Sequence, residues 1–364
     1  MSEQSFYLRS GSLPEKIPVV VLGATGSVGQ RFIQLLDGHP WFEVVALTGS
    51  ERTFGQEYIQ ACKWILPESM PAWAKQMIVE PSDPERIRNA RIAFSALPAE
   101  QASQVEPLLA QAGLAVCSNA STFRRENDVP ILLPEVNPDH VNLVYKQRTL
   151  RDWRGCIVTN PNCTSTGLTV ALKALQSTFG LRKVFAVSLQ ALSGAGYPGV
   201  PSLDILDNVI PLISGEEEKV EWEPRKILGK IQDEQIIPAD VLFSAHTNRV
   251  AVSDGHMVCV SVELDHPVDL DEVIHNFRNY LSPVISRKLP SSPQPPILVR
   301  DEPDRPQPKL DRMAGKGMAT VIGRIRPDPL LHIKFVVLSH NTIRGAAGGS
   351  IFNAELLVQE GLIQ

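Results

Sequence analysis

The chain has 364 residues, with Lys+Arg 35 against Asp+Glu 40 and a formal charge of −5. At ~150 residues per domain the length predicts two domains, and 43% hydrophobic with 21% charged residues excludes a disordered chain. The mild acid excess argues against a nucleic-acid or anionic-membrane partner. It leaves a small anionic substrate open, because a few local Arg and Lys residues suffice to hold one.

Residues 1–16 are polar and lack the apolar core of a signal peptide. No run approaches the ~20 apolar residues of a membrane span. The expectation is a soluble, cytoplasmic protein. Residues 17–22 (Ile-Pro-Val-Val-Val-Leu) are apolar and β-branched, and predict a buried parallel strand. A glycine-rich turn follows, and residues 30–36 then show helical spacing through Phe32, Leu35 and Leu36. Further strands are predicted over 42–47, 92–96, 114–118 and 156–159, with a helix over 100–112. Strand and helix in alternation predict a doubly wound α/β domain. Beyond about residue 160 the pattern changes. Residues 184–191, 257–264, 319–326 and 332–338 read as strands, several alternating apolar and polar residues, which predicts a mostly antiparallel sheet with one covered face. Residues 288–309 are dense in proline and predict a loop. Residues 345–364 predict a final helix with Ile351, Ala354, Leu356 and Leu357 as its apolar face.

Gly23, Gly26 and Gly29 lie between the first strand and the first helix, the position of a dinucleotide-binding turn. Glycine lets the backbone approach a pyrophosphate, and the helix start supplies free N–H groups. The second strand ends in Leu47-Thr48-Gly49-Ser50-Glu51-Arg52. Ser50 and Arg52 suit a ribose 2′-phosphate, whereas Glu51 suits a 2′-hydroxyl. The balance favours NADP over NAD.

The five cysteines are Cys62, Cys117, Cys156, Cys163 and Cys259. No CxxC pair occurs, so neither a thiol-rich metal site nor a dithiol motif is expected. Cys163 stands apart, in Asn160-Pro-Asn-Cys163-Thr-Ser-Thr-Gly167, between the strand over 156–159 and an apolar helical stretch over 168–175. A helix N-terminus favours a thiolate, lowering the pKa from ~8.5, and its amides could hold an oxyanion. The other four read as inert core thiols. The best proton-transfer partner is His256, which a turn at Asp254-Gly255 could bring to the same cleft as Arg249; His246 competes.

These motifs together resemble aspartate-β-semialdehyde dehydrogenase, of the branch described from archaea and fungi. The resemblance covers nearly the whole chain. It rests on Gly23-Ala-Thr-Gly-Ser-Val-Gly29, Ser118-Asn-Ala-Ser121, Thr159-Asn-Pro-Asn-Cys163 and Ser193-Gly-Ala-Gly-Tyr-Pro-Gly-Val-Pro-Ser202. It continues through Gly215-Glu-Glu-Glu-Lys219, Asn248-Arg-Val-Ala-Val252, Gly255-His256 and Asn341-Thr-Ile-Arg-Gly-Ala-Ala-Gly-Gly-Ser350. It implies NADPH-dependent reduction of aspartyl-β-phosphate to the semialdehyde, with release of phosphate.

By resemblance Cys163 is the nucleophile, His256 the acid/base and Gln190 the residue that orients the substrate. Arg249 binds the α-carboxylate, Glu216 faces the amine, and Lys219 faces the phosphate. Arg124, with Arg125 beside it, and Asn119 join the phosphate site. Gly23, Thr25, Gly26, Ser27, Val28, Gly29, Ser50, Arg52, Ser193, Gly194 and Asn341 are the implied cofactor residues. The implied architecture is α/β. A Rossmann-like NADP-binding domain spans 1–160 with the C-terminal helix over 343–364, and an α+β catalytic and oligomerisation domain spans 161–342. A homodimer or homotetramer is implied. The family often has a cysteine before Asn-Arg-Val, where this chain has Ala245-His246-Thr247, so His246 carries no family role. Malonyl-coenzyme A reductase is the nearest alternative, and N-acetyl-γ-glutamyl-phosphate reductase is more distant. A non-catalytic nucleotide sensor would have no need of the Cys163–His256 pair.

Overall fold

The computed structural model describes residues 15–87 and 89–363. All but the last two residues of the polar leader, and Gln364 of the final helix, lie outside the described residues. The first half of the chain runs β1 (Ile17–Leu22), α1 (Ser27–Leu36), β2 (Phe42–Thr48), α2 (Tyr58–Ala61), α3 (Ala72–Lys75) and β3 (Val79–Glu80). It continues β4 (Ile92–Ser95), α4 (Ala99–Ala112), β5 (Ala115–Ser118), α5 (Leu143–Arg151) and β6 (Cys156–Thr159). The strands form one parallel sheet in the order β3-β2-β1-β4-β5-β6. β4, β5 and β6 are buried at every residue, which is why they read as apolar runs without alternation. The strand order reverses between β1 and β4, and such a reversal opens a crevice at the carboxyl ends of the strands.

The second half runs α6 (Cys163–Phe179), β7 (Lys183–Gln190), α7 (Ser202–Ile205), α8 (Glu216–Ile227) and a small hairpin of β8 (Lys230–Gln232) and β9 (Gln235–Ile237). Then come β10 (Leu242–Arg249), β11 (His256–Glu263), α9 (Leu270–Arg278), β12 (Ile297–Arg300), α10 (Pro308–Asp311), β13 (Thr320–Pro327), β14 (Ile333–Ser339) and α11 (Gly348–Gln359). The second sheet has the order β10-β7-β11-β14-β13-β12. Its three central pairings are antiparallel, but β10–β7 and β12–β13 are parallel. The sheet is therefore mixed: the predicted antiparallel pairing holds for three of its five neighbour pairs, and the two edge pairs are parallel. Alternation reports which face is covered and carries no information on strand direction. The chain between β7 and β10, which includes α8, is long enough for a parallel crossover. The proline-dense stretch predicted as loop also holds β12, at the sheet edge where proline nearby costs no ladder bonds.

One face of this sheet is covered by α6, α8 and α9, with Leu168, Leu172, Val220, Phe277, Val260 and Phe335 in a common core. The other face exposes Phe185, His246 and Cys259. Cys259 is thus no core filler, whereas Cys62, Cys117 and Cys156 are buried. α11 packs instead into the first sheet, placing Ile351, Phe352, Leu356 and Leu357 in one cluster with Val19, Phe94 and Cys117. A buried Arg344–Glu135 ion pair lies just before it. Among the described residues no helix is long and apolar enough to cross a membrane.

Candidate active site

The turn from β1 into α1 lies at the crevice. Gly23 has φ of +68°, and a Cβ there would stand 2.9 Å from Ala96 O. A Cβ on Gly29 would stand 2.3 Å from Gly23 O, so only glycine lets α1 close onto the turn. α1 starts after Gly26 with no side-chain cap and no acid in its first turn. Its leading amides, around Thr25, Ser27 and Val28, therefore suit an anion such as a pyrophosphate. Beyond β2, Ser50, Glu51 and Arg52 line a cleft of about 470 Å³ with Ser82, Leu97 and Gln101. An uncapped helix start next to a cleft bearing a guanidinium fits a dinucleotide with a ribose phosphate.

The thiol centre lies between the two sheets. After β6 the chain turns through Asn160, Pro161 and Asn162, and Cys163 is the first residue of α6. His256 is the first residue of β11, and its Nε2 stands 3.2 Å from Cys163 Sγ. The Ala191 main-chain N–H donates to His256 Nδ1 at 3.0 Å. The proton of the neutral ring therefore belongs on Nε2, facing the sulfur. Burial, with the charges of Arg249 and His340, pulls the His256 pKa down to about 3, so the ring is neutral. His246 is exposed on β10, its ring edge against Phe185, and plays no part in this centre.

Two features of the structure oppose the expected thiolate and oxyanion site. Burial, aided by the Glu216 carboxylate, pushes the Cys163 pKa up to about 12, against the pull of Arg124 and Arg249. The helix N-terminus does not outweigh the loss of solvent. The amides of Thr164 and Ser165 are also taken, since Asn162 Oδ1 accepts from them at 2.9 and 3.3 Å. The Cys163 main-chain N–H, which bears on its own sulfur, and the His256 Nε2–H remain as donors placed for a developing oxyanion.

Three element ends bring the predicted substrate groups to this thiol. Arg249 ends β10 and donates from Nη1 to Ala191 O at 2.7 Å. Gln190 ends β7, and its Nε2 is 3.4 Å from Glu216 Oε2. Glu216 starts α8 and pairs with Lys219 at 2.9 Å. Arg124 is buried and donates to Glu223 Oε1 at 2.8 Å and to Asn119 O at 2.9 Å. Arg125 points outward, stacked on Trp222 and paired with exposed Glu218. Asn119 bears on Arg124 through its carbonyl; its side chain joins Ser95 O and Asn160. Asn341 accepts from Gly255 N and donates to Ser193 Oγ, both at 2.8 Å, fixing the turn that leads into His256. Gly194 lies against this pair: a Cβ there would meet Arg249 Nη1 at 2.9 Å and His256 Cε1 at 2.9 Å.

The sequence reading missed three contributors. The Ala191 peptide holds both His256 and Arg249. Asn162 caps the nucleophile helix. Glu223, fully buried, links Arg124 to the Asn162 N–H. Two of them carried a sequence signal: Asn162 is a preferred cap residue directly before the helix start, and Glu223 lies seven residues past Glu216 and so on the same helix face.

Comparison with known proteins gives a consistent result. Residues 18–144 match the family model for the semialdehyde dehydrogenase NAD binding domain, and residues 172–344 that for the semialdehyde dehydrogenase dimerisation domain. The chain is 52% identical over 345 residues to an aspartate-semialdehyde dehydrogenase of Archaeoglobus fulgidus, covering 95% of this chain and 99% of the relative. It is 46% identical over 352 residues to the Schizosaccharomyces pombe protein of the same name, covering 95% and 99%. A crystal structure of aspartate semialdehyde dehydrogenase with NADP from Candida albicans superimposes with a TM-score of 0.88 at 42% identity, covering 96% of this chain and 100% of that one.

Proposed function

The chain belongs to the semialdehyde dehydrogenase family, and we propose on that footing that it reduces aspartyl-β-phosphate to aspartate-β-semialdehyde with NADPH, releasing phosphate. The observation that carries this reading is the Cys163 Sγ–His256 Nε2 contact of 3.2 Å, set among Arg249, Glu216, Lys219 and Gln190. A thiol, a proton donor and ligands for a carboxylate, an amine and a phosphate match the functional groups of that substrate.

Arg249 holds the α-carboxylate and Glu216 the ammonium group. Lys219 and Arg124 neutralise the phosphoryl group, and Gln190 orients the acyl carbon. Cys163 sulfur attacks that carbon. The C–O bond to phosphate breaks, a thioester forms, and the thiol proton leaves with the phosphate as hydrogen phosphate. The glycine turn over 23–29 would hold the cofactor pyrophosphate, Ser50 and Arg52 its ribose phosphate, and Ser193, Gly194 and Asn341 its nicotinamide end. NADPH, when bound, supplies the hydride that the thioester carbon accepts. The thiohemiacetal oxygen left on Cys163 takes a hydrogen bond from His256 Nε2–H. Its collapse breaks the C–S bond and gives aldehyde and a thiolate that Nε2–H stabilises until a proton from solvent restores the thiol.

Malonyl-coenzyme A reduction is not favoured, since the relatives cited above carry the aspartate-semialdehyde name. In cells the protein works in the cytoplasm, as a homodimer or homotetramer built through residues 172–344. Residues 1–160 with 343–364 form the NADP-binding unit and 161–342 the catalytic unit; the packing of α11 against the first sheet supports that division. The test is phosphate-dependent reduction of NADP with aspartate semialdehyde. Turnover that requires phosphate supports the reading, and turnover of malonyl-coenzyme A alone overturns it.

A further inference from the structure

We propose that Glu223 is a positioning residue that locks the phosphate-facing Arg124 and the nucleophile turn into one rigid unit. This rests on the function proposed above and assigns a role to a residue outside the expected set. Glu223 is fully buried on α8. Its Oε1 accepts from Arg124 Nη1 at 2.8 Å, and its Oε2 accepts from the Asn162 main-chain N–H at 2.5 Å. Asn162 is the cap of α6 and directly precedes Cys163. The same asparagine donates from Nδ2 to Glu216 Oε2 at 2.7 Å. Two carboxylates seven residues apart on one helix face thus hold both ends of the capping residue.

The arrangement extends one turn further. Lys226 donates to the carbonyls of Arg124, Glu126 and Val129 at 2.7, 2.7 and 2.9 Å, anchoring the loop that carries Arg124. Arg124 uses Nη1 and Nη2 within the fold, while its Nε has no partner among the described residues. Burying a guanidinium without a counter-charge is costly, so Glu223 makes this placement possible. A carboxylate is also the group the site demands, because both facing partners are donors. In a glutamine one end would turn an NH₂ toward a donor, with nothing to accept it.

Glu223→Gln is therefore expected to raise the KM for inorganic phosphate about tenfold or more and to lower kcat, through misplacement of Arg124 and the thiol. The Kd for NADP should stay within about twofold, because the glycine turn is untouched, and the KM for aspartate semialdehyde should change less than that for phosphate, because Arg249 keeps its own contact to Ala191 O. Glu223→Asp keeps the charge and so tolerates burial. One methylene shorter, it must give up one of its two contacts, and it should show the same selective phosphate effect, smaller in size. In an Arg124→Lys background the Glu223→Asp effect on phosphate KM should largely disappear, since residues acting through one another are not additive. The inference is overturned if either variant keeps the wild-type phosphate KM. It is equally overturned if NADP Kd and both KM values shift together with a fall in Tm, or if the double variant is additive. Wild-type protein lacking phosphate-dependent turnover would instead overturn the proposed function, and this role with it.

Discussion

At the scale of single residues, the resting state of Cys163 decides how the site is read. Burial holds the sulfur as a thiol, pushed up to about 12, beside an imidazole pulled down to about 3. The thiolate fraction is then small at neutral pH and grows about tenfold per pH unit. Iodoacetamide inactivation of the free protein should climb steadily from about pH 7 to about pH 9. A plateau already reached near neutral pH would mean a preformed thiolate–imidazolium pair and would contradict the Ala191 N–H contact at Nδ1. Cys163→Ala should abolish turnover while NADP still quenches intrinsic fluorescence; residual turnover would remove the thioester route. At the other end of the site, Arg52 lines the cleft beyond β2. Arg52→Ala should raise the KM for NADP more than that for NAD, and equal effects would take Arg52 away from the ribose phosphate.

At the scale of elements, buried charge organises what proline leaves irregular. The Asp311 carboxylate, fully buried, accepts from Arg300 Nε at 2.9 Å, Arg305 Nε at 2.7 Å and the Gln307 N–H at 2.8 Å. These contacts tie β12 and the proline-dense segment to α10. Burial works to raise the Asp311 pKa, but the Arg305 hydrogen bond and the surrounding charges override it and hold the group below the usual aspartate range. A depressed folded-state pKa stabilises above the unfolded value, and that stabilisation is lost as pH falls through the folded one. Asp311→Asn should therefore cost about 1–3 kcal/mol at neutral pH, through the loss of charge-assisted hydrogen bonds to two arginines that stay partly solvated. The deficit against wild type should shrink in acid, as read by urea unfolding at several pH values. A constant difference would show that the carboxylate is not what holds the segment. On α11, Phe352→Ala should cost about 3–5 kcal/mol through a cavity beneath the first sheet.

At the scale of the whole molecule, the two sheets supply different halves of the chemistry, and the site exists only where they meet. The glycine turn and the Arg52 cleft belong to the parallel sheet. His256, Gln190 and Arg249 all sit at ends of strands in the mixed sheet. Ligand at a hundredfold over its Kd adds about 2.7 kcal/mol to stability. NADP should therefore raise Tm, and at equal concentration should raise it more than NAD. Equal shifts would remove the preference for the ribose phosphate. The mixed sheet leaves one face open, with Phe185, His246 and Cys259 exposed, and residues 172–344 match a dimerisation domain. Sedimentation should give at least twice the chain mass, and a charged residue at Phe185 should lower it if this face is the contact.

The sequence by itself determined the parallel sheet and the glycine turn, and singled out Cys163 among the five cysteines. Local signals suffice for these: unbroken apolar strands, glycines at positions that admit no Cβ, and a thiol in a polar turn before an apolar helix. The sequence favoured His256 over His246, and the fold shows why the two differ: His256 starts β11 beside Cys163, whereas His246 lies mid-strand on the exposed face of β10. The direction of β10 and the presence of β12 needed the fold, since alternation is blind to strand direction and proline masked an edge strand. The thiol's protonation is the sharpest case. Sequence placed Cys163 at a helix N-terminus, which argues for a thiolate. Tertiary packing half-buried it, let Asn162 take two of the helix amides, and set Glu216 nearby. Desolvation outweighs a partial dipole charge, and no local pattern records how deeply a side chain will be buried.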